Sequence, residues 1–491
     1  MSQKTSLNLN ELFYPKSLAV VGASPKRGYL NRWGGNTFIE GAIKLNFPGN
    51  IYPINPKADS ILGIKAYKSV RDIPGEVDLV IFSIPFTAVL PVMEDCVAKK
   101  VKFVHLFTAG FSETGRPELA EIERKLINLA KEGGIRIIGP NCMGLYCPEG
   151  GLAWTNEFPR TPGPIGFVSQ SGQLAGHFVQ EGGDQNLRFS KVVSFGNAAD
   201  LKAHDFLEYL ADDNKTELIG AYIEGLKDGR AFFDVARKIT KKKPMVVWKG
   251  GQTEGGSRAT QSHTGSMAGS MKIWQALCRQ AGIISVNSME ELIATIGALQ
   301  RLPLPRGLNV AILGGAGGGS VTMTDLAEKE GLKVPHLTEK TIKAMEEFVP
   351  VQGNSAKNPL DIMGALFSGG VKIFGRLMEL LRDDPNIDAL IFSQNIDMFF
   401  RRLDRSFMDE FIRWTVESMQ TLGKPLYLVL EKARSLEGEA LRQDVEIRYH
   451  RYNMATFSSF TRAARVYSNM KMYRDFLSSH NIPIPAFPQS P

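Results

Sequence analysis

The sequence predicts an α/β protein of three consecutive doubly wound units, each built on a mainly parallel sheet. Three observations carry that expectation. The chain has 491 residues, too many for one hydrophobic core. Short β-branched apolar runs that end in Gly, Ser, Asn or Pro alternate with longer stretches of helical periodicity, the pattern of parallel strands joined by crossover helices. Proline-rich punctuation at "TPGP" (161–164) and "RLPLPRG" (301–307) divides the alternation into three blocks.

The first block supplies "LAVVGAS" (18–24), "NIYPINP" (50–56), "DLVIFSIP" (78–85), "VKFVHLFTAG" (101–110) and "IRIIGPN" (135–141). The second supplies "IGFVSQSG", "SKVVSFGN", "LIGAYIEG" and "PMVVWKGG", and the third "LNVAILGGAGGGS", "DALIFSQN" and "KPLYLVL". Boundaries are expected near 145–160 and 300–307, which gives units at 8–145, 155–300 and 306–465 and a tail at 466–491. Ligands of such units bind at the carboxyl ends of the strands.

Composition narrows the function. A hydrophobic content of 43% and a charged content of 22% are ordinary for a globular chain. The net charge of +7 is mild over this length, and the one dense basic run, "RKITKKKP" (237–244), carries no interleaved aromatics. Nucleic acid is not expected as a partner. The four cysteines show no paired metal spacing, so no metal site is expected. "MSQKTSLNLNELF" lacks an apolar leader core, and no apolar run approaches the roughly 20 residues that span a bilayer. The expectation is a cytoplasmic protein with reduced thiols and no membrane segment.

The strand ends of the first block describe a crevice. "VGASPKRGYLNRWGGN" (21–36) is a glycine-containing turn before a helix, with Gly22 and Ser24 at its start. Such turns set backbone N–H groups against phosphate oxygens. The dinucleotide pattern G-x-G-x-x-G is absent, and the second strand ends in "INPK", with Lys57 where an NAD site wants an acid. A lysine there favours an additional phosphate, as in the 3′-phosphoadenosine of coenzyme A or the 2′-phosphate of NADP. "IFSIP" adds Ser83 and Pro85, "TAGFSETG" adds Glu113 and "IGPNCMG" adds Asn141. Together these loops suit a long, thin, phosphate-bearing ligand.

A second feature is "QSHTGSMAGS" (261–270), which places His263 among small residues, with "KGGQTEGGSR" just upstream. An imidazole near its usual pKa is neutral at pH 7 and is a good nucleophile towards an acyl phosphate. Glycine- and serine-rich chain can move such a group between sites. "SQSG" (169–172) puts Ser171 and Gly172 at the start of a helix, a favourable seat for a phosphoryl group.

These motifs, with "SFGNAADL", "YIEG" and "SHTGSMAGS", resemble in sequence and order an NDP-forming acyl-CoA synthetase. The resemblance runs over roughly residues 8 to 465 and is to the α-type subunit of ADP-forming acetyl-CoA synthetases, in the succinyl-CoA synthetase superfamily. It implies a Rossmann-like CoA-binding domain followed by two flavodoxin-like ligase domains. The implied reaction is acyl-CoA + ADP + phosphate ⇌ acid + ATP + CoA. By the same resemblance His263 carries the phosphoryl group and Glu224 accepts a hydrogen bond from its imidazole. Ser171, Gly172, Gly196 and Asn197 shape the phosphate pocket, and Gly22, Ser24, Lys57, Ser83, Pro85, Glu113 and Asn141 bind coenzyme A. The nucleotide, ADP or ATP with Mg²⁺, is expected on a separate ATP-grasp β-type subunit, in an α2β2 assembly.

In the third block "LGGAGGGSVTMTDLAEKEG" (313–331) lacks the Gly-Lys-Ser/Thr ending of a phosphate-binding loop. "NPLDIMG" (358–364) is expected to pack rather than react. "YRDFLSSHNIPIPAFPQSP" (473–491) resembles the segment that opens an ATP-grasp domain. Two other functions compete with the ligase: a non-catalytic sensor of CoA or acyl-CoA, and an NADP-dependent reductase built on the first block.

Overall fold

A computed structural model describes residues 8–25, 34–264, 270–315, 317–349, 355–396 and 405–485. The side chains of 261–264, 363–372 and 405–407 lie outside that description. The chain divides after Met289 into two compact units.

The first unit opens with a short helix, α1 (Asn10–Phe13), and strand β1 (Ser17–Val21), followed by helix α2 (Gly35–Lys44) and β2 (Asn50–Ile54). A small hairpin, β3 (Ser60–Ile61) and β4 (Ile64–Lys65), precedes β5 (Leu79–Phe82) and α3 (Val89–Lys99). Then come β6 (Phe103–Leu106), α4 (Pro117–Glu132) and β7 (Arg136–Ile138). The five long strands form one parallel sheet in the order β2-β1-β5-β6-β7. The order reverses between β1 and β5, the switch point at which ligands of open α/β sheets bind. The three inner strands, β1, β5 and β6, are buried along their length, as in sheets that helices cover on both faces.

A second sheet follows in the same unit. Its strands are β8 (Gly144–Tyr146), β9 (Pro162–Ser169), β10 (Phe189–Ser194), β11 (Leu218–Ile223), β12 (Met245–Lys249) and β13 (Ile284–Val286). Between them run α5 (Gly172–Asp184), α6 (Ala203–Asp212), α7 (Gly229–Ile239), α8 (Glu254–Thr264) and α9 (Met271–Ala281). The order is β13-β12-β11-β9-β10-β8, parallel except for β8, which runs antiparallel to β10. The basic run at 237–244 closes α7, where Lys242 pairs with Asp212 and Lys243 donates to the Leu210 and Asp213 carbonyls. Arg237, Lys238, Lys241 and Lys242 are exposed, and only Lys243 is drawn partly into the fold.

Both sheets lie within the first compact unit. Arg136, at the start of β7, makes paired bonds to Asp200 at 2.9 and 3.0 Å, and Ile137 N donates to the same carboxylate. Tyr209 on α6 bonds Asn10 and stacks on Phe13, which fixes α1 to the second sheet. A boundary at 145 falls inside β8.

The second unit takes in α10 (Met289–Arg301), of which Met289 is the dividing residue, β14 (Val310–Leu313), α11 (Gly318–Lys329), α12 (Glu339–Glu346) and α13 (Met363–Asp383). It continues with β15 (Ala389–Gln394), α14 (Arg405–Leu422), β16 (Leu426–Leu430), α15 (Leu436–Arg451), β17 (Thr456–Phe457) and α16 (Phe460–Ser479). The sheet is parallel, in the order β14-β15-β16-β17, with a core on each face. Asn358 is buried and bonds Ile312 N and the Val310 carbonyl, a packing role for "NPLDIMG". Residue 466 lies within α16, whose Tyr467, Met470 and Tyr473 are buried, so this part of the expected tail is core. Residues 486–491 lie outside the described set.

Every strand expected from the apolar runs is present. The pieces not anticipated (β3, β4, β8, β13 and β17) are two or three residues long, too short for a periodicity to show.

Candidate functional site

At the switch point of the first sheet the chain turns at Gly22 with φ +97°. A Cβ there would collide with the Ser83 carbonyl oxygen, so the loops after β1 and β5 touch only because this residue is glycine. Ser24 N donates to Asn36 Oδ1 at 2.9 Å, and Asn36 Nδ2 returns a bond to the Ser24 carbonyl. This ties the turn to the first turn of α2. Asn55 Nδ2 holds the Ala23 carbonyl and its Oδ1 accepts from Lys57 N, which leaves the Lys57 side chain exposed at the edge of β2. Pro85 is exposed and begins the turn before α3. Gly22, Ser24, Lys57, Ser83 and Pro85 are thus all on loops at the carboxyl ends of three neighbouring strands. Residues 26–33, between Ser24 and α2, lie outside the described set.

Glu113 is placed otherwise than as a residue reaching for a ligand. Its carboxylate accepts from Gly110 N at 2.6 Å and Phe111 N at 3.1 Å, closing its own loop. It also accepts from Asn197 Nδ2 at 2.6 Å. Glu123 on α4 binds Ser112 beside it. Asn141, with φ +58°, donates from its backbone to the Thr108 carbonyl, and its side chain lies 3.5 Å from Asn197 Oδ1. Gly196 (φ +53°) sits against the Pro140 and Asn141 carbonyls, where a Cβ would not fit. Glu113 and Asn141, expected at the first crevice, and Gly196 and Asn197, expected at the second, therefore form one junction.

The second sheet collects the remaining candidates. Ser171 is the N-cap of α5 and accepts from Leu174 N at 3.3 Å. The next N–H groups, of Gly172 and Gln173, have no acceptor within the helix, and the helix dipole favours an anion in front of them. Gly172 has no room for a Cβ because Met143 packs on it. Phe195 N donates to the Ser169 carbonyl at 2.9 Å, which holds the Gly196–Asn197 turn beside this helix start.

Glu224 follows β11 and is 5% exposed. The Tyr222 hydroxyl hydrogen-bonds its carboxylate; burial first, and then this carboxylate, push the Tyr222 pKa well above its ordinary value. Glu224 N and Gly225 N both donate to Gln170 Oε1, at 2.6 and 2.9 Å. Lys249, 4% exposed at the end of β12, donates to the carbonyls of Glu224 and Gly250. Burial lowers the Lys249 pKa, and the Glu224 charge opposes that shift. Gly250 passes over Tyr222 and Glu224, with no space for a side chain. Tyr222, Gln170 and Lys249 were not picked out from the sequence. The available signal was a lysine closing an otherwise apolar strand directly before two glycines.

The segment carrying His263 differs from the expected mobile loop. From Glu254 to Thr264 the backbone is helical, as α8. Thr253 accepts from Gly256 N at 3.1 Å, an Arg258–Glu254 pair spans one turn, and Thr260 bonds back to the Gly256 carbonyl. Capping and i,i+4 contacts outweigh the glycines here. The helix runs beside the Ser112–Thr114 turn. The His263 side chain and residues 265–269 lie outside the described set. His177 is exposed on α5 and His204 is the second residue of α6. Among the described residues there is no group of ligands that could hold a metal ion.

A parallel sheet with its crevice at the switch point, joined to a second sheet whose strand ends surround a helix N-terminus and a buried glutamate, defines a CoA-ligase type of protein. Residues 16–148 match the family model of a CoA binding domain, and residues 162–299 match that of a succinyl-CoA ligase like flavodoxin domain. The chain is 42% identical over 386 residues to the alpha subunit of ADP-forming acetate–CoA ligase II of Pyrococcus furiosus, covering 78% of this chain and 81% of that one. It is 37% identical over 440 residues to the ADP-forming acetate–CoA ligase II of Archaeoglobus fulgidus, covering 87% of this chain and 62% of that longer relative. Among solved structures it is similar to the dinucleotide-forming acetyl-coenzyme A synthetase 1 of Ca. Korarchaeum cryptofilum in complex with phosphate and ADP. That match has a TM-score of 0.80 and 30% identity, and covers 97% of this chain and 100% of the other. The chain belongs to the ADP-forming acyl-CoA ligase family, on the side of its alpha subunits.

Proposed function

We propose that this chain is the CoA-ligase subunit of an ADP-forming acyl-CoA synthetase and works through a phosphohistidine at His263. The observation that carries the reading is the seating of Glu224. A carboxylate is buried at the end of β11 and held by Tyr222, while the backbone N–H groups of Glu224 and Gly225 donate to the side chain of Gln170, the residue that precedes the N-cap of α5. A sensor of CoA has no use for a buried carboxylate beside an anion seat. A relay of phosphate through a histidine does.

Coenzyme A lies across the first sheet, with its phosphates towards the Gly22–Ser24 turn and Lys57, and its thiol end towards the junction of Glu113, Asn141 and Asn197. Phosphate at the start of α5 attacks the acyl thioester, the C–S bond breaks, and acyl phosphate and CoA result. A nitrogen of His263 then takes the phosphoryl group while the carboxylate departs, and Glu224 orients the imidazole and stabilises its positive charge. The phosphoryl group passes finally to ADP. Mg²⁺ held by an ATP-grasp partner, in an α2β2 assembly, would offset the charge of the nucleotide phosphates. Four buried free cysteines suit the reducing cytoplasm, and no helix among the described residues is long and apolar enough to cross a membrane.

Incubation with acetyl-CoA and labelled phosphate should leave an acid-labile, base-stable label on the chain. His263→Asn should abolish the label and keep CoA affinity. Purified alone, the chain should make no ATP from acetyl-CoA, ADP and phosphate, and an ATP-grasp subunit should restore synthesis. Label persisting in His263→Asn would remove the histidine from the mechanism.

A further inference from the structure

Lys249 closes β12 and is 4% exposed. A lysine is almost never buried to this degree unless its ammonium is met by partners. Here the ammonium donates to two carbonyl oxygens, those of Glu224 and Gly250, at 2.5 Å each. One carbonyl lies just beyond β11 and the other just beyond β12. The ladder between these strands extends one step further, where Gly250 N donates to the Ile223 carbonyl at 2.8 Å. Carbonyl oxygens are acceptors only, so without the ammonium these two would repel each other.

The backbone of Glu224 is fixed from both sides by side chains. Its N–H donates to Gln170 Oε1 at 2.6 Å, and its carbonyl accepts from Lys249. The second carbonyl opens the turn Gly250–Gly251, in which Gly251 has φ +69°. Gln252 Nε2 closes that turn by donating to the Lys249 carbonyl at 2.8 Å. The turn leads through Thr253 into α8, whose backbone includes His263. The ammonium therefore joins the loop that presents the buried carboxylate to the base of the helix that carries the histidine. A charge kept this deep is costly to desolvate, and an uncharged residue would suffice at a strand end that had only to pack.

We propose that Lys249 is a positioning residue for the phosphoryl relay: by drawing the Glu224 and Gly250 carbonyls together it fixes where the carboxylate stands relative to the start of α8, and so where it meets the imidazole. The inference rests on the reading that Glu224 orients His263, and adds a residue that acts through Glu224.

Variants of the full chain test it. Lys249→Met keeps the apolar stem and removes the ammonium, and Lys249→Gln keeps N–H donors without the charge. Glu224→Gln is made alone and combined with each. Every chain is mixed with acetyl-CoA and labelled phosphate, and the rate of labelling is followed by rapid quench across a range of phosphate concentrations. We expect the limiting rate of Lys249→Met to fall about 10- to 100-fold, the scale of a hydrogen bond to a charged group, and that of Lys249→Gln to fall less. Half-saturating phosphate and CoA affinity should stay within about twofold, since the loss is one of alignment and not of binding. In the Glu224→Gln background Lys249→Met should slow labelling less than about threefold further, because residues that act through one contact are not additive. A fully additive double variant would overturn the assignment, and so would unchanged limiting rates in both Lys249 variants or a loss that saturating phosphate repairs. Full-rate labelling by Glu224→Gln would instead remove the role of Glu224 and this inference with it, so the two failures are told apart. If Lys249→Met does not fold, Lys249→Gln carries the same comparison.

Discussion

Asn197 Nδ2 donates to Glu113 Oε2 at 2.6 Å, joining a loop of the second sheet to a loop of the first. The same carboxylate closes its own loop through Gly110 N and Phe111 N. Hydrogen bonds to a charged group contribute about 1.5–3 kcal/mol. Glu113→Gln should therefore lower the unfolding free energy of the first unit by about 2 kcal/mol. Asn197→Asp should cost more, since it opposes two carboxylates at hydrogen-bonding distance. Urea midpoints of both variants check this, and an unchanged midpoint for Asn197→Asp would show that the contact carries no energy.

Gly22→Ala should be severe for its size. The residue needs a positive φ, and an added Cβ meets the Ser83 carbonyl oxygen. A left-handed conformation alone costs an alanine about 1–2 kcal/mol, and the overlap adds a backbone shift. CoA affinity should fall at least about tenfold while the second unit melts unchanged, as differential scanning calorimetry and ligand titration would report.

Lys57→Ala should discriminate between ligands. The side chain is exposed and its backbone is fixed by Asn55, so the substitution removes charge and leaves the loop intact. Coenzyme A should bind about three- to tenfold more weakly, the effect of one exposed charge-assisted contact, and dephospho-CoA should be affected less. Equal losses for the two ligands would place the 3′-phosphate elsewhere.

His105 sets a pH limit on the first unit. Its ring is buried against Phe38, with Nε2 3.1 Å from the Cys142 carbonyl oxygen, and burial pushes its pKa down to about 4. The unfolded chain titrates near 6.5. Above that pH both states are neutral and the full stability is present. As pH falls from about 6.5 to about 4, only the unfolded chain takes up the proton, and stability is lost by about 2 kcal/mol at pH 5. Urea titrations across this range should show the decline, and His105→Gln should flatten it.

The sequence made the long strands legible because each is an uninterrupted apolar run buried on both faces, such as "LVIF" at β5 and "LYLVL" at β16. Strand ends followed from those runs, and it was the family resemblance that grouped Ser171, Gly196 and Glu224 at one phosphate site. The helix at Glu254–Thr264 was illegible, since its capping by Thr253 and its Arg258–Glu254 pair compete with a glycine pair that signals a loop. Gln170 and Lys249 were also hidden. Their importance lies in which backbone atoms of a neighbouring strand they reach, and nothing local encodes that.

The antiparallel strand β8 has a consequence for how such proteins can be cut and rejoined. Its three residues follow the first sheet closely in sequence yet pair with β10 in the second. A fragment ending at residue 148, where the first family match stops, carries β8 away without its partner. The complementary fragment keeps β10 with an exposed row of backbone donors and acceptors, an invitation to intermolecular pairing. Recombination at that point should yield soluble first halves and aggregating second halves, whereas a crossover placed ahead of Gly144 would pass the strand on intact. The inheritable module is therefore offset from the chemical one, and gene fusion or fission in this lineage is expected to respect the strand rather than the cofactor boundary.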